Sequence, residues 1–306
     1  KKLVAENEYD ELGRLIEKKL GKLANNEAVE TQEYDYNIRG WMKGINTGYV
    51  RDGTGGKKFG IELNYDWGFD QPQYNGNISG TRWRSMGDDE VQRAYGFGYD
   101  KANRIMFADF KQLDGSQWNN DAGINFTSIM GDGLDHTTAY DANGNILAMK
   151  QWGLKVNESE VIDDLEYAYG SNGISNKLQN VIDFSNLPGT KLGDFRTSIE
   201  SPNLTAKQGF TRDVSDPYQI TDYTYDNNGN LVKDLNKDME ALTGNGIVYN
   251  HLNLPLKVTV KKDASNEKGY ISYIYDATGN KLRKMVNEKD LTVIHNNTNY
   301  NSDILT

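Results

Sequence analysis

An all-β fold, built from tandem hairpins joined into a continuous curved antiparallel sheet, follows from three observations. One tyrosine-led turn phrase recurs along the chain, alternating strand-length runs lie between its copies, and glycine is abundant, at 31 of 306 residues. The clearest copy is Tyr223-Thr224-Tyr225-Asp226-Asn227-Asn228-Gly229-Asn230-Leu231-Val232. Successive side chains of a strand alternate between faces, so Tyr223 and Tyr225 share one. Asp226 opens a turn whose amides its carboxylate accepts. Gly229 supplies the positive φ of a type I turn with a G1 bulge. Asp226 then faces Asn230, and Tyr225 meets Leu231 across the strands, the pairing that stabilises a sheet locally.

The other copies keep that frame. They begin at Tyr9-Asp10 with Gly13, at Tyr36-Asn37 with Gly40, at Tyr99-Asp100 with Asn103, and at Tyr140-Asp141 with Gly144. Two more begin at Tyr249-Asn250 with Asn253 and at Tyr275-Asp276 with Gly279. Asparagine at the glycine position is the next-best residue for a left-handed backbone. The last copy has one extra residue before Leu282, and a longer loop is expected there, since a one-residue slip would turn the leucine to the wrong face. Eroded copies at Tyr65-Asp66, Tyr74-Asn75-Gly76-Asn77-Ile78 and Tyr167-Ala168-Tyr169 fill the larger gaps. A repeat of about 25 residues holds two or three strands and must stack on its neighbours to bury an aromatic face.

Between the turns, Phe59 to Trp67 alternates apolar and polar residues, as a half-buried strand does. Tyr95-Gly96-Phe97-Gly98-Tyr99 reads as a strand with its aromatics on one face, and Thr137-Thr138-Ala139 as β-rich residues leading into a turn. The segment 53–58 is a loop between strands near Tyr49 and Ile61. Helix is confined to two candidates, Glu11–Val29 and Glu158–Tyr167, and the first competes with the hairpin at Tyr9. Asp183–Pro202 reads as a long loop or degenerate repeat. Residues 1–306 are expected to form one continuous domain, a fragment of a longer chain.

Composition excludes several functions. There is no cysteine, hence no disulfide framework or thiolate chemistry. A net charge of -10 argues against nucleic acid as a partner. No apolar run approaches the length of a membrane span.

The search for chemistry returns structural readings. Gly53-Thr54-Gly55-Gly56-Lys57-Lys58 has Lys58 where a phosphate loop needs Ser or Thr, so a solvated loop is the better account. Asp141–Asn145 and Asp226–Asn230 begin like calcium loops but carry Trp152 and Lys237 where the twelfth-position glutamate belongs. His136, His251 and His295 lack metal-ligand spacing, with His136 placed beside a strand end and His251 within a turn. No Gly-x-Ser-x-Gly elbow is present. Acidic pairs such as Asp163-Asp164 are inevitable among 44 carboxylates. No catalytic, cofactor or metal residues are therefore expected. Among the aromatics, which include Trp41, Trp67, Trp83, Trp118 and Trp152, residues such as Trp83 that lie outside the turn phrases are better candidates for a sugar-stacking platform than the turn-flanking tyrosines.

The phrase Y-x-Y-D-x-x-G-x-L, in seven copies, resembles the YD repeats of the bacterial RHS family, which is related to Tc-toxin shells and to animal teneurins. Tyr34-Asp35-Tyr36-Asn37-Ile38-Arg39-Gly40-Trp41-Met42-Lys43-Gly44-Ile45 resembles a block characteristic of RHS chains. The likeness extends over roughly residues 9 to 285. It implies a segment of a β-shell, a spiralling sheet whose hollow encloses a C-terminal toxin or effector polypeptide. It further implies a secreted or cell-surface bacterial protein, acting in toxin delivery or contact-dependent competition. The partners implied are the enclosed polypeptide or neighbouring shell repeats. By analogy with teneurins, an adhesive module binding glycans or proteins is the alternative. The self-cleaving core of such shells, rich in Asp-Pro-x-Gly, has no counterpart here, since the lone Asp216-Pro217 is followed by Tyr218-Gln219.

Overall fold

The structure, a computed structural model, describes residues 4–120, 123–155, 158–170, 173–185, 195, 221–263, 265–289, 293–295, 298–300 and 303–305. Most of the segment 183–202 and the Asp216-Pro217 step lie outside them. The described residues are almost entirely antiparallel strand, and they divide into two compact units: 1–141 with 149–162, and 142–148 with 163–306.

The first unit opens with β1 (Ala5–Tyr9), β2 (Leu15–Leu20), β3 (Glu30–Tyr36) and β4 (Met42–Ile45). A one-and-a-half-turn helix α1 (Thr47–Asp52) precedes β5 (Phe59–Asn64), β6 (Gly80–Ser85), β7 (Arg93–Tyr99), β8 (Ile105–Asp114) and the short β9 (Gln117–Asn119). β10 (Ser128–Met130), α2 (His136–Ala139), β11 (Ala148–Lys155) and the start of β12 (Glu158–Tyr169) complete it. Each strand pairs with the one before it, except that β10 pairs with β8 and β9 lies beside β8 off the main path. Sequential antiparallel pairing is the simplest way to join hairpin to hairpin.

In the second unit the end of β12 pairs with β13 (Leu178–Asp183), and β14 (Tyr223–Tyr225) with β15 (Leu231–Asp234). A further sheet runs through β16 (Ile247–Tyr249), β17 (Pro255–Lys261), β18 (Glu267–Tyr275) and β19 (Lys281–Glu288). β20 (Val293–His295) pairs with β21 (Thr298–Tyr300), and β22 (Asp303–Leu305) pairs with β19.

Several expectations are corrected. Glu11–Val29 is not helix but the turn and second strand of the first hairpin, because the Asp10 turn closes the chain back on β1. Glu158–Tyr167 lies in β12, where cross-strand pairing overrides helix propensity. Tyr49 stands in α1, not in a strand, and is buried with Val50. Residues 136–139 form a helical turn that starts at His136, since the Asp135 side chain caps the Thr137 amide. β5 ends at Asn64, and its more deeply covered face is the polar one, with Glu62 1% and Asn64 0% exposed. The helix α1 causes this inversion: Val50 packs over Gly60, and Arg51 pairs with Glu62.

Buried apolar side chains in the first unit include Tyr49, Val50, Ala94, Met106, Phe110, Met130 and Ile162. In the second they are Leu165, Ala168, Val181, Ile182, Val232 and Ile247.

Candidate functional site

The turn at Asp226 has a fully explicit geometry. Its backbone N–H donates to Asn230 O at 2.9 Å, and Gly229 N–H returns to Asp226 O at 3.1 Å with Gly229 at φ 86°. Asp226 Oδ1 accepts the amides of Asn228 and Asn230, and Oδ2 accepts Asn230 Nδ2 at 2.9 Å. The bulge falls between Thr224 and Tyr225, which places Tyr225 opposite Leu231. Oδ1 of Asp10, Asn37, Asp100, Asn250 and Asp276 accepts the same two amides, two and four residues on. Gly13, Gly40, Asn103, Asn253 and Gly279 have positive φ like Gly229. Bulges immediately precede Tyr9, Tyr36, Tyr99, Tyr249 and Tyr275. Tyr140 is 8% exposed and follows α2, with Asp141 after it and Gly144 at φ 87°.

The last copy departs from expectation. Asp276 N–H donates to Asn280 O as in the other turns, and Tyr275 pairs with Lys281. The loop is therefore not longer: Lys281 takes the aliphatic position, and Leu282 is turned outward, 65% exposed. Closing the turn fixes the register, and the leucine does not.

The carboxylates of these turns are held in their charged form. The Asn280 side chain, then Thr278 and the turn amides, bring Asp276 down to about 2, and the same kind of bonding lowers Asp226. Three turn donors, two on Oδ1 and one on Oδ2, thus use the Asp226 carboxylate within its own turn.

The tyrosines carry a second interaction that the pairing pattern did not predict. Each hydroxyl donates to the backbone carbonyl at the aliphatic position of the preceding turn. In the first unit the bonds are Tyr36 to Leu15, Tyr65 to Met42, Tyr99 to Ile78 and Tyr140 to Ile105, at 2.6–2.9 Å. In the second they are Tyr169 to Ile146, Tyr225 to Leu178, Tyr249 to Leu231 and Tyr275 to Pro255, at 2.8–3.1 Å. The residue just before the bonded carbonyl covers the ring in several joints. Arg14 lies 5.0 Å from Tyr36, Arg104 4.3 Å from Tyr140 and Lys177 5.6 Å from Tyr225, while Trp41 packs on Tyr65 at 5.2 Å. Other joints use asparagine. Asn75 and Asn77 both donate to Asn103 Oδ1, Asn143 and Asn145 to Asn176, and Asn228 and Asn230 to Asn253. Burial raises Tyr99, Tyr140, Tyr225 and Tyr249 above the ordinary phenol range, keeping each hydroxyl a donor.

The aromatic residues of β6–β8 separate onto two faces. On one, Trp83 stacks on Tyr95 at 5.5 Å, Tyr95 on Phe97 at 6.0 Å, and Phe110 meets Tyr95 edge-on. Trp83, the candidate sugar platform, has a ring face covered by Tyr95 and is part of this cluster. On the other face a cleft of about 360 Å³ is lined by Phe69, Arg82, Ala94, Gly96, Phe107 and Trp118, among others. In the 53–58 loop, Lys57 Nζ donates to Thr31 O and pairs with Glu33, and a helix precedes the loop where a phosphate site needs one to follow. His251 is exposed in its turn. Among the described residues no three His, Cys, Asp or Glu side chains gather as a metal set. No helix among them is long and apolar enough to cross a membrane.

These features define a class, the all-β chains made of antiparallel hairpin repeats. No protein-family model matches the chain, and no curated protein matches it in sequence. Among solved structures, the crystal structure of TcdB2-TccC3 without its hypervariable C-terminal region matches over 93% of this chain, with 12% identity and a TM-score of 0.45. TcdB2-TccC3-TEV matches over the same share with 11% identity and a TM-score of 0.44. TcdB2-TccC3-Cdc42 does so with 14% identity and a TM-score of 0.41. This chain spans 13% of the length of each of those chains.

Proposed function

We propose that this chain is a non-catalytic structural segment, a stretch of wall in an RHS-type β-shell that encloses a polypeptide. The observation that carries the reading is the series of eight tyrosine hydroxyls, each bonded to the carbonyl of the turn before. Such bonds tie each repeat to its predecessor and commit nothing to a central site, as suits a wall extended by adding repeats. The repeat residues Tyr, Asp or Asn, and Gly are structural in this reading. The enclosed guest is a C-terminal toxin or effector, and the protein is secreted or displayed at a bacterial surface. Titrating a fluorescent, permanently unfolded polypeptide into the chain tests the guest-binding part. Weak saturable binding, with the guest left uncleaved, is expected; absence of binding, or turnover of the guest, would count against a wall that houses a polypeptide.

A second reading, an adhesive module for glycans, is favoured by Trp67 and Tyr74, 43% and 69% exposed on one long loop. A glycan array separates the two, since a wall segment should give no selective signal.

A further inference from the structure

We propose that the cleft beside β6–β9 is a binding site for an apolar carboxylic acid, a carboxylate carried next to an aromatic or branched group. The cleft is made by the sheet itself. Gly80 and Gly96 are cross-strand partners, and Gly98 lies further along β7 on the same face. A Cβ on Gly80 would fall inside the Phe69 ring, and one on Gly98 inside the Phe107 ring. Neither glycine has positive φ, so their role is to let the two rings approach the sheet rather than to shape a turn. Ala94 completes the floor and Trp118 of β9 a wall. At about 360 Å³ the space lies at the small end of the range for ligand pockets, roughly 300–1,000 Å³.

One cation in this cleft, whose aromatic walls sit among polar residues including Asp70, Gln71 and Ser79, has no ion-pair partner. The Arg82 guanidinium lies 5.5 Å from the Phe69 ring centroid and 5.7 Å from that of Trp118. It donates through Nη2 to Gly68 O at 3.2 Å. Among the described residues no carboxylate lies within ion-pair distance of it. Glu62, directly across the strands, pairs through Oε1 with Arg51; of the two carboxylates lining the cleft, Asp109 pairs with Lys111 at 3.2 Å and Asp70 lies beyond ion-pair distance of Arg82. Two aromatic rings flank it, and a guanidinium's N–H groups form a fork that matches a carboxylate. The rings offer the acid's apolar body a place out of water, whereas a neutral sugar would leave the guanidinium unbalanced. The same chemistry occurs in a free aromatic acid and in the C-terminal residue of a peptide. This inference does not rest on the shell reading.

Calorimetric titration of the intact chain with 3-phenylpropanoate, its amide, and a short peptide ending in phenylalanine with a free carboxylate tests the site. At least one acid should bind about tenfold more tightly than the amide. Arg82→Gln should abolish that preference. Gly96→Ala, whose Cβ would only reach ordinary contact with Phe69, should weaken the acid severalfold by narrowing the floor, with the charge untouched. A tighter peptide assigns the site to chain ends, and an equal or tighter free acid assigns it to small molecules. Equal binding of acid and amide, or no saturable binding of either acid near 1 mM, overturns the proposal, and so does full affinity in Gly96→Ala.

Discussion

The tyrosine hydroxyl is the atom on which two neighbouring repeats meet, and its removal is the most direct probe of that joint. Tyr225→Phe keeps the ring under Lys177 and opposite Leu231 but leaves the Leu178 carbonyl without its donor. A loss of about 0.5–1.5 kcal/mol is expected in urea unfolding, the usual net worth of one such bond. The hydroxyl also has a pH signature. Its folded pKa is raised by burial, so its contribution is complete below the unfolded phenol pKa, near 10, and is lost as pH rises through the folded value. Tyrosinate absorbance and loss of sheet signal should therefore rise together in alkali. The turn carboxylates behave oppositely. Asp276 sits at about 2 in the fold against about 3.9 in an unfolded chain, so its contribution is present above pH 4 and fades as pH falls from 4 to 2. Asp276→Asn keeps an oxygen for the Thr278 and Asn280 amides, as Asn37 and Asn250 already do. Its melting temperature should lie slightly below that of the parent at pH 7 and coincide with it near pH 2.

At the scale of the hairpin, turns and strands differ in how much of them could be read beforehand. The Asp–Gly spacing was legible because a turn is local: its acceptor, its amides and its left-handed residue lie within five positions. The extra residue before Leu282 does not lengthen the loop, because turn closure sets the register and the leucine does not. The helix α1 and the polar face of β5 escaped because Arg51 meets Glu62 only after the chain has turned between them, and strand periodicity carries no sign of what covers each face. The joints were invisible for the same reason: Tyr225 and Leu178 are 47 residues apart. Even so, a signal for the asparagine joints exists, since Asn228, Asn230 and Asn253 recur as Asn143, Asn145 and Asn176. Asn253→Gly tests that joint without disturbing the backbone, because φ 57° suits glycine. It removes the acceptor shared by Asn228 and Asn230. A loss of roughly 0.5–1 kcal/mol is expected from these exposed bonds, and Asn253→Ala should lose about 1 kcal/mol more through its left-handed backbone. Equal stability of the glycine variant and the parent would show the asparagines to be ornamental.

At the scale of the whole chain, stability should be the sum of repeats and their joints, with cooperativity limited to each compact unit. The sequence offers a built-in reporter for this. All five tryptophans, Trp41, Trp67, Trp83, Trp118 and Trp152, fall in the first unit, while strands and tyrosines occur in both. Tryptophan fluorescence therefore follows the first unit, and far-ultraviolet circular dichroism follows the two together. The units also differ in what they bury. The first buries Tyr49, Val50, Met106, Phe110, Met130 and Ile162, with Glu62 and Asn64 among its buried polar side chains. The described core of the second mixes Val181, Ile182 and Val232 with Asn180, Asp222, Asp234, Glu240 and Lys261, the last two paired at 3.2 Å. A buried ion pair contributes little net stability because desolvation offsets its attraction. The second unit should consequently unfold at lower urea, with part of the dichroism lost before tryptophan emission shifts. Glu240→Gln, which leaves Lys261 without its counter-charge, should move that early dichroism step downward and leave the fluorescence midpoint unchanged. Coincident transitions in the parent, or a fluorescence midpoint that follows Glu240→Gln, would mean that the repeats unfold as one cooperative body, and the joints would then be coupled along the entire chain rather than only to their neighbours.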